Sequence, residues 1–450
     1  MSKAAALDRL MSLGGELVTA PGEPRRKFDL AHMRALLGAL GNPQQRFPSL
    51  LIAGTNGKGS TAAALASILR AAGYTTGLYT SPHLSRVNER IRVLSPGAAL
   101  SASDTAIEDA PLFAHLAQVE QASATLVAAS QLPTPPSFFE TLTAIAMLAF
   151  AALPVQIAVL EVGLGGRLDA TNVVEPLLSI LTDISLDHTE WLGPTLDAIA
   201  REKAGILRPG GTMITLPQHP EANQALGEVA TALHVTGINA ADFLPGREAS
   251  FSSENHYSLT LDGLPLAVHF PLPGQHQQRN LALAIAAAVE LRNHHGYNIP
   301  NDRIEAGIRQ TSWPGRLEHI HRLGHPDLLL DVAHNPAGAW ALRAALSRIP
   351  ATGPRVLLFG CMRDKALDEM AQILFPVFDH VYLLELPSPR TASAAQLSAA
   401  AQRTGTPHTL SADIPSALAA ADTHAAPDGL IVGSGSVLVV GALHALAGNA

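Results

Sequence analysis

The stretch SLLIAGTNGKGSTAAALASILRAAG, residues 49–73, decides the fold of this chain. Its apolar run, Leu50–Ala53, predicts a buried strand, and Thr61–Ala72 predicts a helix because strong helix formers dominate it. A glycine-rich turn joins the two. A strand, a glycine-rich loop and a helix in this order are the context that a phosphate-binding loop requires.

The turn itself carries residues suited to a phosphate. Its glycines, Gly54, Gly57 and Gly59, let backbone N–H groups point at an anion, and the start of a helix favours negative charge. Lys58 can reach terminal phosphates, and the Ser60 hydroxyl can ligate Mg²⁺. The spacing departs from the common G-x-x-x-x-G-K-[ST], because Gly59 separates the lysine from the hydroxyl. A tight turn without a ligand is the alternative interpretation.

Composition bounds the class of protein. A length of 450 residues suggests two or three domains, and 47% apolar with 15% charged residues allows large buried cores. A net charge of −8 without a dense basic run argues against a nucleic-acid partner. A single cysteine, Cys361, excludes an internal disulfide and fits a reducing compartment.

No segment of the sequence predicts a membrane span or a secretory signal. The first ten residues, MSKAAALDRL, contain charges and no apolar core. Residues 142–160 are interrupted by Pro154, and residues 430–446 are interrupted by the turn 433–436. We therefore expect a cytoplasmic protein with no membrane partner.

Strand and helix patterns alternate along the chain and predict an α/β fold. Residues 1–312 are expected to form a P-loop domain with a mostly parallel sheet flanked by helices. Residues 313–450 are expected to form a smaller, Rossmann-like α/β C-terminal domain.

Two regions are predicted to be less regular. Residues 94–137 are expected to be a mobile loop that covers a site, and residues 212–270 to alternate short strands with turns. A hairpin is expected across Asp262 and Gly263, followed by a capping run that ends at Asn280 before the helix Leu281–Leu291.

Polar residues that end apolar runs mark the expected ligand-binding edge, because open α/β sheets bind ligands beyond the carboxyl ends of their strands. Glu161 ends one run, and Asp187 and His188 follow another. With Ser60 these groups could form a Mg²⁺ site, although histidine is an unusual ligand for Mg²⁺. From the residues alone, a hydrogen-bonded surface histidine is the favoured interpretation of His188.

Further charged residues have both a plain and a functional interpretation. Lys203, between Glu202 and Ala204 in a predicted helix, is most simply a solvated lysine. Arg316 could reach a phosphate from the second domain. Asp331 ends an apolar strand and could either bind a ribose hydroxyl or cap the next helix.

Taken together, the motifs resemble the folylpolyglutamate synthase/dihydrofolate synthase family of Mur-ligase-like ATP-dependent amide ligases. The matching segments are Gly54–Ser60, Ser81–Leu84, Glu161–Asp169, Asp187–His188, Arg201–Gly205, Trp313–Arg316 and Asp331–Pro336. They occur in the family's order over nearly the whole chain. The glycine between the lysine and the hydroxyl is itself the form that this family has.

The resemblance implies an ATP site with two Mg²⁺ ions. The implied nucleotide-binding residues are Asn56, Gly57, Lys58, Gly59, Ser60, Thr61, Asn280, Arg316 and Asp331. The implied metal ligands are Ser60, Glu161, His188 and Lys203, which reverses the plain interpretation of His188. In this family the matching lysine reacts with CO₂, so a carbamylated Lys203 is expected to ligate the second ion. The implied catalytic residues are Lys58, Lys203 and His334.

The resemblance also implies the substrates. The residues that match the pterin side are Asp29, Leu30, Phe138, Phe139, Glu140, Leu168, Asp169 and Ala170, and those that match the glutamate side are Ser81, Arg90 and His334. The implied reaction joins L-glutamate to dihydropteroate and to reduced folates through an acyl phosphate, with release of ADP and phosphate. The family also suggests a monomer.

Three alternatives stay open. A monofunctional folylpolyglutamate synthase would extend folates without using dihydropteroate. A cell-wall Mur ligase is disfavoured, because too few residues precede Gly54 for a separate uridine-nucleotide domain. A nucleotide switch protein would need no substrate pocket, and for GTP it would usually carry an N-K-x-D segment, which this sequence lacks.

Overall fold

The computed structural model describes residues 3–13, 29–97, 105–246, 255–350, 352–388, 390–425 and 427–448. The helices are α1 (Lys3–Ser12), α2 (Leu30–Ala39), α3 (Lys58–Ala71), α4 (Asp109–Ala128), α5 (Phe138–Ala152), α6 (Thr189–Leu192), α7 (Leu196–Ala204), α8 (Pro220–Ala232), α9 (Gln275–His294), α10 (Asn301–Arg309), α11 (Pro336–Leu346), α12 (Leu367–Leu374), α13 (Ala394–Thr404), α14 (Ile414–Ala425) and α15 (Val437–Gly448). Short 3₁₀ helices cover Pro43–Gln45, Val87–Arg90, Ala170–Val173, Ala240–Phe243 and Phe375–Val377.

Within the part of the chain that the structure describes, the strands divide among three sheets. The first seven are β1 (Ser49–Ala53), β2 (Thr76–Tyr79), β3 (Ile91–Leu94), β4 (Ile157–Glu161), β5 (Leu178–Leu181), β6 (Thr212–Thr215) and β7 (Thr236–Asn239). The remaining eight are β8 (Asn255–Leu261), β9 (Leu264–Phe270), β10 (Glu318–Ile320), β11 (Asp327–Leu330), β12 (Arg355–Phe359), β13 (His380–Leu384), β14 (His408–Ser411) and β15 (Leu430–Ser434).

The first sheet has the order β3-β2-β4-β1-β5-β6-β7. Its neighbouring strands run parallel except for β3, which is antiparallel to β2. Strand β1 lies between β4 and β5, with Ile52 opposite Glu161 and Ala53 opposite Leu181. The carboxyl ends of these three strands therefore meet, so the residues that follow them converge at one edge.

Both faces of the first sheet are covered by helices, because its strands are apolar on both sides. Leu51 and Leu160 face a core built with α2, α4, α5, α7 and α8. Leu50 and Val159 face a second core, which contains α3, α9, α10 and the β8–β9 hairpin. Helix α3, which begins in the phosphate loop, is consequently buried over nearly its whole length.

The second sheet has the order β10-β11-β15-β12-β13-β14 and is parallel apart from β10. Helices α11, α12 and α13 pack on one face, and α14 and α15 pack on the other. The chain passes from the first set of elements to the second between α10 and β10. Within the described ranges, no helix combines the length and the apolar character needed to cross a bilayer.

The architecture confirms the predicted fold class: a mostly parallel sheet flanked by helices carries the phosphate loop, and a smaller parallel α/β unit follows. The irregularity expected over residues 94–137 is wrong where the structure describes that segment, because α4 occupies Asp109–Ala128. Its buried residues Leu112, Leu116 and Val119 recur at spacings of four and three, which is the period of a helix face. Residues 98–104 of the segment lie outside the described residues.

Two smaller expectations are also wrong. The region 212–270 contains the thirteen-residue helix α8 in addition to its strands, and its residues 247–254 lie outside the described residues. Asn280 does not precede a helix, because α9 already begins at Gln275. The hairpin across Asp262 and Gly263 is present as predicted.

Helix α10 packs against α3 through a glycine, and this contact makes a testable prediction. A Cβ at Gly307 would lie 2.4 Å from Ile68 Cα, so Gly307→Ala should destabilise the protein by roughly 1–3 kcal/mol through overpacking. The free energy of unfolding in urea measures this. Gly38, near the end of α2, has nothing within 4 Å of a built Cβ, so Gly38→Ala is the matched control. Equal effects of the two substitutions would contradict the packing explanation.

Candidate active site

The phosphate loop is held by its own lysine and by the segment that follows β5. Lys58 Nζ donates to Gly54 O at 3.0 Å and to Thr55 O at 3.1 Å. The backbone N–H groups of Thr55 and Asn56 both donate to Asp183 O, at 2.8 and 3.2 Å. The loop is thereby fixed before any ligand binds.

Asn280, an implied nucleotide-binding residue, lies directly against this loop. Its carbonyl oxygen accepts from Thr61 Oγ1 at 3.3 Å, and its side-chain nitrogen donates to Gln277 Oε1 at 2.9 Å. A Cβ on Gly57 would lie 2.0 Å from Asn280 Oδ1, and Gly57 has a φ of +89°. Only glycine satisfies both the backbone conformation and the close approach at this position.

Glu161 ends β4 beside the loop and is surrounded by cations. Its Oε2 accepts from the backbone N–H of Ser81 at 3.1 Å, and only 4% of the residue is exposed. Burial raises the pKa of Glu161, while the charges of Lys58, Arg316 and Arg90 oppose that rise. A bound anion could interact with the same cations as Glu161, and the carboxylate could itself bind a metal cation.

Lys203 is buried, which contradicts the plain interpretation of a solvated lysine. Its Nζ donates to Gly54 O at 2.9 Å, the same oxygen that Lys58 contacts, and 4% of the residue is exposed. Burial and the nearby charge of Lys58 lower the pKa of Lys203 to about 7. A substantial fraction of this amine is therefore neutral at neutral pH, unlike an ordinary lysine.

The donors for a metal ion are present in part. Ser60 and Glu161 supply a hydroxyl and a carboxylate, which suit Mg²⁺ beside phosphates. Among the described residues, His188 Nδ1 has no hydrogen-bond partner although it is buried, and Nε2 lies 3.2 Å from Lys365 Nζ. His188 could therefore ligate a metal through Nε2 only after Lys365 moves. In the ranges that the structure describes, no three His, Cys, Asp or Glu side chains are arranged to hold an ion by themselves.

A buried ion pair connects the two sheet-bearing units at this edge. Lys365 Nζ, from the loop after β12, donates to Asp187 Oδ1 at 2.7 Å, and the two side chains are 7% and 9% exposed. Burial alone would raise the pKa of Asp187, but Lys365, His188 and His334 together hold it below its usual range. The carboxylate is therefore ionised at neutral pH.

An amide pair makes a second connection between the units. Asn335 Nδ2 donates to Asn56 Oδ1 at 3.0 Å and to Asp187 Oδ2 at 3.1 Å, and Asn56 Nδ2 lies 3.4 Å from Asn335 Oδ1. Asn335 Oδ1 also accepts from Gly338 N and so caps α11. The phosphate loop and the first turn of α11 are thus joined by side chains.

His334 belongs to the same cluster. Its Nδ1 lies 2.9 Å from Val332 O, and its Nε2 lies 3.7 Å from Asp187 Oδ2. Burial, followed by the charge of Lys365, lowers the pKa of His334 to about 4. The imidazole is therefore neutral at pH 7.

Arg316 and Asp331 enter the edge from the second unit. Asp331 accepts the backbone N–H groups of Leu317 and Ala333, both at 2.9 Å. Burial raises the pKa of Asp331, and His276 and Arg316 oppose that rise. Burial lowers the pKa of Arg316, which Asp331 and Glu161 oppose. Since Asn335 caps α11, Asp331 is not the helix cap that was its alternative role.

The residues implied for glutamate and for the pterin meet at Arg90. Its Nε donates to His83 Nδ1 at 2.9 Å, and its guanidinium lies 5.2 Å from the centroid of the Phe138 ring. Burial, together with the Arg90 charge, lowers the pKa of His83 to about 4, so this histidine is a neutral acceptor. Phe139 packs against Tyr79, with 5.9 Å between ring centroids.

A cavity of about 120 Å³ lies next to the loop that follows Glu161. It is lined by Asp29, Leu30, Met33, Glu140, Leu164, Gly165, Gly166, Arg167, Leu168, Asp169, Ala170, Trp191, Leu192 and Glu202. Six of the eight residues implied for the pterin are in this lining, and Phe138 and Phe139 are not. A larger opening of about 870 Å³, at the far end of α3, contains none of the implied site residues.

The loop around Asp169 lines this cavity and packs against the backbone of Lys203. Asp169 accepts from the backbone N–H groups of Leu164 and Thr171, at 2.9 and 3.0 Å. Gly166, in the same loop, lies so close to Lys203 O that a Cβ there would approach to 2.8 Å. The loop that lines the cavity therefore packs against the backbone of the helix that carries the buried amine.

Most implied residues lie at this edge, and the sequence missed some of their partners. Asp187 was predicted as part of a possible Mg²⁺ site and not as an ion-pair partner, and Asn335 and Lys365 were not among the implied site residues, although each of the three follows the carboxyl end of a strand. The sequence feature that could have identified them is their position after an apolar run. Their mutual contacts depend on how the two units meet, which spacing in the sequence does not encode.

Two family models match the chain. The Mur ligase middle domain matches residues 110–288, and the Mur ligase glutamate ligase domain matches residues 315–437.

Curated relatives match over most of the chain. The dihydrofolate synthase/folylpolyglutamate synthase of Bacillus subtilis is 34% identical over 374 residues, covering 82% of this chain and 84% of that protein. A protein of Halobacterium salinarum, named probable bifunctional folylpolyglutamate synthase/dihydropteroate synthase, is 37% identical over 416 residues. That match covers 90% of this chain and 48% of the relative, so the chain spans about half of that protein's length.

Solved structures share the whole fold. The folylpolyglutamate synthase of Mycobacterium tuberculosis, complexed with ADP and AMPPCP, matches with a TM-score of 0.85 and 32% sequence identity. The match covers 99% of each chain.

The buried ion pair between the units predicts strong coupling. Lys365→Met or Asp187→Asn alone should each cost roughly 3–5 kcal/mol, because the remaining polar partner stays buried without its counter-charge. The double variant should lose clearly less than the sum of the two. Urea unfolding of the four proteins measures this cycle, and additive losses would contradict direct coupling.

The same pair predicts a pH dependence. Because the folded-state pKa of Asp187 is lowered, its contribution is present above the ordinary pKa near 4. That contribution should decrease as the pH falls below about 4. The free energy of unfolding in urea, measured as a function of pH, checks this. The Asp187→Asn variant should show a smaller decrease in that free energy below about pH 4 than the wild type.

Proposed function

Because this chain belongs to the dihydrofolate synthase/folylpolyglutamate synthase family of Mur ligases, we propose that it joins L-glutamate to dihydropteroate and to reduced folates in an ATP-dependent reaction. The products are dihydrofolate or a folylpolyglutamate, ADP and phosphate. The M. tuberculosis neighbour, solved with ADP and AMPPCP, supports the use of ATP.

One observation carries the proposal. The cavity beside Asp169 is lined by six of the residues expected to bind a pterin, and its loop residue Gly166 packs against the backbone of Lys203, whose amine donates to Gly54 O in the phosphate loop. An acceptor bound in this cavity could direct its carboxylate toward a phosphate held by Lys58. A nucleotide switch would have no need for such a neighbouring cavity.

The chemistry needs activation, because a carboxylate is a poor acyl donor. An oxygen of the acceptor carboxylate attacks the γ-phosphorus, the bond to the β-phosphate oxygen breaks, and ADP leaves. The glutamate amine then attacks the acyl carbon of the resulting acyl phosphate. Phosphate departs with the electron pair of the C–O bond, and the amine loses its proton as the amide forms. Lys58 and Arg316 offset the negative charge that develops on the transferred phosphoryl group.

The nucleotide and metal roles follow from the donors present. We assign the loop 56–61, Asn280, Arg316 and Asp331 to the nucleotide, with the Asp331 carboxylate as acceptor for a ribose hydroxyl. Ser60 and Glu161 would hold Mg²⁺, with His188 as a further ligand once Lys365 is displaced. A bound Mg²⁺ would supply charge neutralisation for the phosphates.

The glutamate assignment is supported by the positions of three side chains. Ser81 and Arg90 lie near Glu161, and neutral His334 can accept a hydrogen bond from the incoming amine. We place the domain boundary at 312/313, so that Arg316 and Asp331 come from residues 313–450 and the phosphate loop from residues 1–312. A monomer in the cytoplasm is the form that we propose for the enzyme.

The choice of acceptor is tested by steady-state assays. Purified protein should release ADP with ATP, glutamate and dihydropteroate, and also with tetrahydrofolate in place of dihydropteroate. Lys58→Met should reduce both activities on the order of 100-fold, because both acceptors use one ATP site. Turnover of tetrahydrofolate alone would leave a monofunctional folylpolyglutamate synthase. Turnover of neither acceptor would overturn the proposed function.

Carbamylation of Lys203 is tested separately. We propose that the neutral amine attacks CO₂, forms an N–C bond and releases one proton, which leaves an anionic carbamate for a second Mg²⁺. Support comes from the burial of Lys203 and its pKa of about 7. Lys203→Ala should lower kcat on the order of 100-fold. A ¹³C signal from labelled bicarbonate should be present in the wild type and absent from the variant. Near-normal turnover by Lys203→Ala would contradict the proposal.

A further inference from the structure

We propose that Trp313 is a positioning residue for the nucleotide, because its indole packs against Gly59 and holds the Lys58–Ser60 turn in place. The inference rests on the proposed function, in which this turn binds ATP. Trp313 lies between α10 and β10, in the segment that connects the two units.

Gly59 is required by space and not by backbone conformation. It lies in the first turn of α3 and is not among the residues with positive φ. A Cβ at Gly59 would lie 3.0 Å from Trp313 Nε1, with two further indole carbons at 3.2 and 3.3 Å. In a helix, glycine is destabilising relative to alanine. The contact with the indole explains why glycine stands here despite that cost.

A second contact holds the indole. The guanidinium of Arg92 lies 4.8 Å from the ring centroid, within the range of a cation–π interaction. Arg92 is itself fixed, since its Nε donates to Glu89 O at 3.0 Å and the residue is buried on β3. The indole therefore cannot move away from Gly59 without disturbing an anchored arginine.

The connecting segment is fixed on both sides of Trp313. Before it, Thr311 Oγ1 and Ser67 Oγ both donate to Gly307 O, which attaches the end of α10 to α3. After it, Gly315 O accepts from Val332 N at 3.1 Å. Trp313 is thus the point at which the anchored segment contacts the start of the phosphate loop helix.

Arg316 follows Trp313 by three residues, and the Asp331 carboxylate lies close enough for the two charges to interact. A contact between Trp313 and Gly59 therefore fixes the distance between the loop that binds phosphates and the pair assigned to the nucleotide from the other unit. Without the indole, both the Lys58–Ser60 turn and the connecting segment lose one wall of their packing.

The test is a size-complementation cycle read by ATP affinity. Gly59→Ala should weaken ATP binding at least 10-fold, because the new Cβ collides with the indole. Trp313→Leu should also weaken ATP binding about 10-fold, because it removes the indole that packs against the Lys58–Ser60 turn. The double variant should bind ATP more tightly than Gly59→Ala alone, since the smaller leucine makes room for the methyl group. Gly227→Ala, in α8 with nothing within 4 Å, should leave the affinity unchanged.

Calorimetric titration with ATP in the absence of acceptor measures these affinities, and urea midpoints measure folding. If Gly59→Ala fails to fold, restored folding and ATP binding in the double variant support the contact. Wild-type ATP affinity in Trp313→Leu, or additive losses of ATP affinity in the double variant, would overturn the inference about Trp313 and leave the proposed function intact. Coupling in the urea midpoints with unchanged ATP affinity would reduce Trp313 to a structural role and overturn it too. A wild-type protein that binds no ATP would overturn the proposed function.

Discussion

Side chains from three distant parts of the chain press against the phosphate loop where it has no Cβ. Built Cβ atoms on Gly54, Gly57 and Gly59 would lie 1.8 Å from Thr182 Oγ1, 2.0 Å from Asn280 Oδ1 and 3.0 Å from Trp313 Nε1. These neighbours come from the end of β5, from α9 and from the segment that connects the units. Protein interiors are densely packed and have low compressibility. The contacts with these three glycines therefore fix the positions of β5, α9 and the connecting segment relative to the loop.

The sheet order explains why the candidate site residues lie next to this loop. Strand β1 lies between β4 and β5, so the loop emerges beside Glu161 and beside the segment that leads to Asp187. Parallel strands end at the same edge, and their following residues share that edge. The second unit then adds its own strand-end residues, Asp331 and Lys365, across the interface.

Burial sets the electrostatic character of the edge. Lys58 and Lys203 both contact Gly54 O, and burial lowers the pKa of each. Burial raises the pKa of Glu161 in the same region. Desolvated charges interact strongly, so buried cations at this edge would interact strongly with a triphosphate. Lys365, paired with Asp187 and next to His188, is one of the cations that such a ligand would rearrange.

The sequence by itself determined the α/β class, the strand, glycine-rich loop and helix around residues 49–73, and most of the other strands, because these depend on local apolar periods and on glycine spacing. It missed α4, whose apolar stripe is spread over twenty residues, and it treated Lys203 as solvated. Only the tertiary structure decided the burial of Lys203, the Asp187–Lys365 pair and the contact of Trp313 with Gly59. Each of these depends on atoms brought together from more than 100 residues apart, and no local pattern records which distant group will occupy the adjacent space.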